Sequence, residues 1–228
     1  MRVIEPIATI HTDFPEKFGI PRQSGLASTA CGEIVFEPEY RQIERIKGLE
    51  LFSHIWLIWD FSEHAEIKNN TTVRPPRLGG KEHVGVFASR SPFRPNGLGL
   101  SSVKIEGIDY SESKGPIIKV SGVDMLDGTP IYDIKPYIPY TDCITDATDG
   151  YTEHTKDYRL QVVCPDNLLS ILPEDKRSAV FDVLALDPRP TFLNAPNRIY
   201  GMFYADYNIK FKVEDLVLTV VDIHKELQ

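Results

Sequence analysis

Cysteine is scarce in this chain: Cys31, Cys143 and Cys164 are the only three in 228 residues, far apart and without a C-x-x-C pair. An odd number at such spacings argues against a disulfide framework or a zinc knuckle and fits a reducing compartment, so a cytoplasmic location is expected. Long apolar runs are missing too. The opening MRVIEPIATIHTDF has no apolar stretch of leader length, and nothing approaches the roughly 18 apolar residues of a membrane span. The six histidines form no H-E-x-x-H and no cluster with metal-ligand spacing, so no metal is expected and structural roles are favoured for all six. There is no G-x-S-x-G elbow and no sequence sign of an activated cysteine. Gly97 and Gly99 lie in GLGLSSV, which lacks a third glycine and leads into a strand-like run, so a dinucleotide or phosphate loop is not indicated. Internal repeats and low-complexity tracts are also absent.

What is present is an ordinary globular composition, 42 % hydrophobic and 25 % charged, long enough to bury a core without covalent staples. The formal net charge of −8 is unevenly spread. Between Thr71 and Ile105 the charged residues are Arg74, Arg77, Lys81, Arg90, Arg94 and Lys104 against the single acid Glu82, a net +5. Thr141 to Asp187 carries ten acids and four bases, a net −6. A cationic face on an acidic protein suits an anionic ligand better than diffuse binding to a duplex.

Short, β-branched or aromatic runs recur through the first 125 residues: RVIEPIATIH, GEIVFE, SHIWLIWDF, HVGVFA, LSSVKIEGI and PIIKVSGVD. Each is bounded by Gly, Pro or Asp and reads as a strand. Only Glu39–Ile46, EYRQIERI, reads as a short helix in this half. Strands without long alternating helices exclude a doubly wound parallel sheet and favour a β-barrel or a strongly curved mixed sheet. TDCITDATDGYTEHTKD reads as a polar linker. Beyond it the pattern predicts a strand at Tyr158–Val163, a helix opening at Pro173 with Glu174 and Asp175 near its start and ending before Pro188, and a closing hairpin in YNIKFKVEDLVLTVVDI. The expected class is mainly β, a barrel over residues 1–146 with a small α+β domain over residues 155–228.

Three polar clusters interrupt these elements. IPRQSG, Ile20–Gly25, is a Pro-initiated turn carrying Arg22 and Gln23. SRSPFRPNGLGLSSV cannot be helical, because Pro92 and Pro95 each remove a donor and restrict the residue before them. SGVDMLDGTPIYDIKPY supplies Asp124, Asp127, Asp133 and Lys135. Turn chemistry alone accounts for Asp127-Gly128. Arg90 and Arg94 are a different case, because two guanidiniums on one stiff loop repel unless an anion or an acidic partner sits between them. Recognition of a carboxylate or phosphate and a structural ion pair are equally compatible with the pattern.

Taken together, FGIPRQSGL, IKGLELFSHIWLI, TVRPPRLGG, VGVFASRSPFRPNGLGLSSV and DMLDGTPIYDIKPY resemble the TsaA-like (TrmO) family of tRNA methyltransferases. These motifs span most of residues 1–146, and LALDPRPTF and YADYNIKFKV carry the resemblance into the C-terminal part. It implies a single-sheet β-barrel, a homodimer, and S-adenosylmethionine-dependent methylation of N6 of threonylcarbamoyl-adenosine at position 37, beside the anticodon of threonine tRNA. By similarity, Pro21, Arg22, Gln23, Ser24 and Gly25 line the cofactor, with Ser62, Glu63, Arg90, Leu100, Ser121, Gly122, Val123 and Asp124. Arg90 would meet an anionic group of cofactor or tRNA, and Leu100 would give adenine an apolar wall. Asp124 is the candidate for a general base. Arg74, Arg77, Lys81 and Arg94 would meet the anticodon-loop phosphates; the alternative for the basic run is a solvated face. One departure is Ser62-Glu63 where the family pattern has His-Gln. Two rivals remain at this level: a non-catalytic RNA-binding barrel, and a small-molecule methyltransferase on the same scaffold.

Overall fold

The computed structural model describes residues 3–62, 70–75, 78, 82–110, 113–190 and 198–226. Glu63, Arg77 and Lys81 lie outside the described residues, as do parts of the TVRPPRLGG and LALDPRPTF motifs.

The strands in chain order are β1 (Ala8–Thr12), β2 (Cys31–Phe36), β3 (His54–Asp60), β4 (Thr72–Val73), β5 (Val84–Gly85), β6 (Leu98–Asp109), β7 (Ile117–Ser121), β8 (Thr129–Pro136), β9 (Gln161–Val163), β10 (Tyr200–Tyr204), β11 (Tyr207–Glu214) and β12 (Val217–Lys225). Six of them close an antiparallel barrel in the order β1-β2-β7-β6-β3-β8. Period-2 alternation puts one face of each strand inside: Ile55, Leu57 and Trp59 from β3 are buried while their neighbours are only partly so. Ala8, Ile10, Ile34, Val103, Ile118, Val120 and Ile131 complete the interior.

The seam between β6 and β7 is incomplete. β3 pairs with β6 from Leu98 to Lys104, but β7 joins β6 only from Lys104 to Asp109. Among the described residues Leu98–Val103 therefore has a strand neighbour on one side only. Chain from two other places fills the gap, as described below.

The C-terminal part is a four-stranded sheet, β10-β11-β12-β9, with β9 parallel to β12. Three helices accompany it or lead to it: α1 (Pro139–Asp142), α2 (Asp166–Leu169) and α3 (Glu174–Ala185). Pro173 stands at the N-cap of α3, whose Ala179, Val180, Val183 and Leu184 are buried. This sheet and the barrel share a continuous core. Phe14 meets Tyr204 edge-on at 5.4 Å between centroids, Phe18 stacks on Phe211 at 6.5 Å, and Lys176 of α3 pairs with Asp13. The segment between β1 and β2 is thus clamped from outside the barrel.

Four local expectations need correction or refinement. Glu39–Ile46 is not a helix but lies across two 3-10 turns, Pro38–Tyr40 and Ile43–Arg45, because Pro38 starts one and the second is capped after a single turn. HVGVFA contributes only the two-residue β5 and a 3-10 turn, Val86–Ala88, outside the barrel. The polar linker at 141–157 carries local helical turns that its lack of pattern did not indicate: Asp142 ends α1, and Gly150–Thr155 is a 3-10 helix. The strand expected at Tyr158–Val163 begins only at Gln161.

Candidate active site

The incomplete seam is where the sequence-predicted residues gather. Gly25 donates its N–H to the Gly122 carbonyl at 2.9 Å, tying the Pro21–Gly25 turn to the chain leaving β7. Gly122 has φ +77°, and a Cβ there would stand 3.3 Å from the Gly25 backbone, so both the conformation and the close approach favour glycine. Gly122 in turn donates to the Ala30 carbonyl at 2.8 Å. Ser24 Oγ accepts the Ser102 N–H at 3.2 Å, which satisfies a donor on the strand side that β7 leaves open.

Asp124 closes this arrangement. Its Oδ1 accepts from the Ser101 hydroxyl at 2.7 Å, and the Ser24 N–H donates to the same carboxylate. Burial pushes the Asp124 carboxyl up to about 6 against the opposing pull of those hydrogen bonds and of the nearby Arg90 guanidinium. Arg90 is itself exposed and donates through Nη1 to Gln23 Oε1, so the Pro-rich loop is joined to the same turn. Behind Ser101 the Trp59 indole N–H donates to Ser101 Oγ at 3.0 Å.

The other expected residues divide. Pro21 is buried and shapes the turn, whereas the Arg22 Nη2 points to the C-terminal part and donates to the Arg189 carbonyl at 3.4 Å. Val123 is fully buried and Ser121 spends its hydroxyl on Glu106 Oε1, so these two can offer the site only backbone. Leu100 is 58 % exposed on the outward face of β6, with Ser101 on the inward face. Ser62 is an exposed turn residue next to Phe61, whose N–H bonds the Gly97 carbonyl at the start of β6. Arg94 uses Nη1 on the Ser89 carbonyl at 3.0 Å, stitching its own loop, and Arg74 donates to His83 Nε2 at 2.9 Å.

Asp127 caps the end of β1: its Oδ1 accepts from the Thr12 N–H at 3.0 Å and meets His11 Nδ1 at 3.2 Å, which bears out the turn reading. Asp133 pairs with Lys135 on the surface. Burial raises the Cys31 and Cys164 thiols above their ordinary value, the opposite of activation. Among the described residues no group of three His, Cys, Asp or Glu could hold a metal ion, and no helix is long and apolar enough to cross a membrane.

Ser101 and Trp59 were not singled out from the sequence. The signal was there: in LGLSSV the inward positions are Gly99, Ser101 and Val103, which places a serine where the alternation calls for an apolar residue.

Comparison with known proteins identifies the lineage. Residues 9–143 match the model of the tRNA-methyltransferase O N-terminal domain, and residues 159–226 match that of the TrmO C-terminal domain. The chain belongs to the TrmO family. The tRNA (adenine(37)-N6)-methyltransferase of Escherichia coli K12 is 36 % identical over 219 residues, 92 % of this chain and 93 % of that one. A Pseudomonas aeruginosa relative with the provisional name S-adenosylmethionine-dependent methyltransferase RcsF is 39 % identical over 90 % of each chain. The crystal structure of TrmO from Pseudomonas aeruginosa superposes with a TM-score of 0.79 at 33 % identity, covering 99 % of this chain and 98 % of that one. The TrmO fold therefore extends across both parts of the molecule, and the seam lies within the portion matched by the N-terminal model.

Proposed function

We propose that this TrmO-family protein methylates N6 of threonylcarbamoyl-adenosine at position 37 of threonine tRNA, acting as a cytoplasmic homodimer. The coarser reading stands on its relatives: it is an S-adenosylmethionine-dependent tRNA methyltransferase. The observation that carries it to the residues is the convergence of Pro21–Gly25, Gly122–Asp124 and Arg90 on one open barrel seam.

The donor set fits the cofactor. S-adenosylmethionine has a carboxylate, a cationic ammonium and sulfonium, and a flat adenine. Arg90 offers a fork of N–H donors to the carboxylate. Asp124 offers an anion to the cationic end, and Leu98 and Leu100, both exposed on the outer face of β6, offer apolar surface. The close glycine pair, Gly25 and Gly122, lets the turn and the chain leaving β7 approach where a side chain on Gly122 would crowd the Gly25 backbone. Bound there, the cofactor supplies an electrophilic methyl group on a sulfonium.

The chain's own residues hold and orient. A cationic methyl donor needs chiefly in-line alignment, so the Asp124 carboxylate, ionised above a pKa of about 6, serves the cofactor side of the site. The acceptor nitrogen exchanges one proton for one methyl group, and the same carboxylate is the candidate to take that proton. The prolines and hydrogen bonds of the turn and loop fix these groups before binding, which lowers the ordering entropy opposed to it. Arg74, Arg77, Lys81 and Arg94 supply the charge for tRNA phosphates. Residues 1–146 carry this chemistry, and residues 155–228 brace the turn through Phe14, Phe18 and Asp13.

The test is mass spectrometry of nucleosides from threonine tRNA incubated with the protein and S-adenosylmethionine. Gain of a methyl group on threonylcarbamoyl-adenosine is expected. RNA binding without cofactor binding would instead make the protein a binding module, and methylation of small metabolites without tRNA would reassign its substrate.

A further inference from the structure

Trp59, Ser101 and Asp124 form a line of hydrogen bonds whose direction is fixed by chemistry. An indole N–H can donate but never accept. Trp59 Nε1 lies 3.0 Å from Ser101 Oγ, so the serine oxygen is the acceptor of that bond. Ser101 Oγ lies 2.7 Å from Asp124 Oδ1, and toward the ionised carboxylate, which can only accept, the serine hydroxyl is the donor. Neither donor can drift. Trp59 is buried under Gly99 and tilted against Phe61 at 4.3 Å between centroids, and Ser101 is 1 % exposed inside the barrel.

We infer that Ser101, held by Trp59, is a positioning residue that fixes Oδ1 of Asp124 and favours the charged form of this carboxylate, which faces a cationic ligand or a departing proton. This rests on the proposed use of Asp124 in methyl transfer, but the relay itself is a property of the free protein. A hydroxyl that donates to the carboxylate favours the charged form over the neutral acid. The indole bond occupies one lone pair of Ser101 Oγ, so the hydroxyl has fewer ways to accept from the acid form than it would without Trp59. The groups facing Asp124 from the surrounding elements are few. Among the described residues, Arg90 from the Pro-rich loop is the charged group acting on it. The Ser24 N–H faces it from the turn and the Ser101 hydroxyl from β6, both neutral.

The decisive experiment is a carbon-detected NMR titration of the Asp124 carboxyl in the free full-length protein labelled at aspartate, assigned with Asp124→Asn. Ser101→Ala should raise its midpoint by about one pH unit, the effect of one lost charge-assisted hydrogen bond. Trp59→Phe, which leaves the hydroxyl in place but frees the lone pair that the indole occupied, should raise it by a smaller amount. Ser101→Thr, which restores the donor, should return it close to the wild-type value. An unmoved midpoint in folded Ser101→Ala would overturn the inference. Should Trp59→Phe fail to fold, the contrast between Ser101→Ala and Ser101→Thr still decides it. Because neither cofactor nor tRNA is present, the titration is separable from the functional reading: a failed methylation assay would sink that reading and leave the relay standing.

Discussion

Gly99 lies so close to Trp59 that a Cβ on the glycine would fall 2.1 Å from the indole Cε2. The strand that carries Ser101 is therefore pressed against the ring that orients Ser101. Gly99→Ala should displace the ring or the strand and destabilise the protein by about 1–3 kcal/mol. Chemical denaturation measures the loss, and an unchanged midpoint would show that the ring has room to retreat.

Asp124 links function to stability with a definite sign. Its carboxyl titrates near 6 in the fold against an ordinary 3.8, so the native state keeps its proton to higher pH than the unfolded chain. Stability from this group falls as pH rises from about 4 to 6, and a cost of about 3 kcal/mol persists above that window. Asp124→Asn preserves the shape and the acceptor for Ser101 while removing the ionisation. Its melting temperature should exceed that of the wild type at pH 7.5, and the difference should shrink toward pH 4.

The same variant divides two catalytic roles. If Asp124 serves the cofactor, Asp124→Asn raises the Michaelis constant for S-adenosylmethionine, and saturating cofactor restores most of the rate. A large loss of saturated turnover with cofactor affinity intact would make Asp124 the general base instead.

Much of the barrel was legible because its strands alternate apolar and polar residues over a shared interior. β8 was not. Thr129–Pro136 has prolines near both ends and carries Tyr132, Asp133 and Lys135, so it read as a polar cluster although it pairs with both β1 and β3. β10, YGMFY, was likewise missed, since five residues give too short a pattern. For the site, the turn and loop were visible as Pro-, Gly- and Arg-rich interruptions, but their meeting was not. Gly25 and Gly122 are bonded across the sequence by a register that only the closed barrel fixes. For Leu100, strand alternation supplies the direction that the motif could not: the side chain lies on the outer face of β6.

Arg90→Ala should weaken S-adenosylmethionine binding roughly tenfold while the fold persists, an effect held to the lower end of charge-assisted bonds by the exposure of this side chain. Calorimetry on the folded variant measures it. Unchanged affinity and turnover would remove Arg90 from the site and leave it as the fastener between the loop and Gln23.

Neutralising Arg74, Arg77 and Lys81 together should raise the tRNA dissociation constant and flatten its dependence on salt, with cofactor affinity unaltered. Binding isotherms at several salt concentrations give the slope. An unaltered slope would mean that the stretch is a solvated face.

The incomplete seam beside β6 also sets where the molecule opens first. Along Leu98–Val103 the side away from β3 is closed by the Ser24 hydroxyl and by the turn bonded to Gly122. The amides of Ser102 and Gly25 should therefore exchange with solvent deuterium well ahead of those of Ile118 and Val120, through local opening that leaves the barrel intact. Such a low-energy breathing mode would admit a ligand to Asp124 without global unfolding, and a bound ligand spanning the turn and the strand would suppress it.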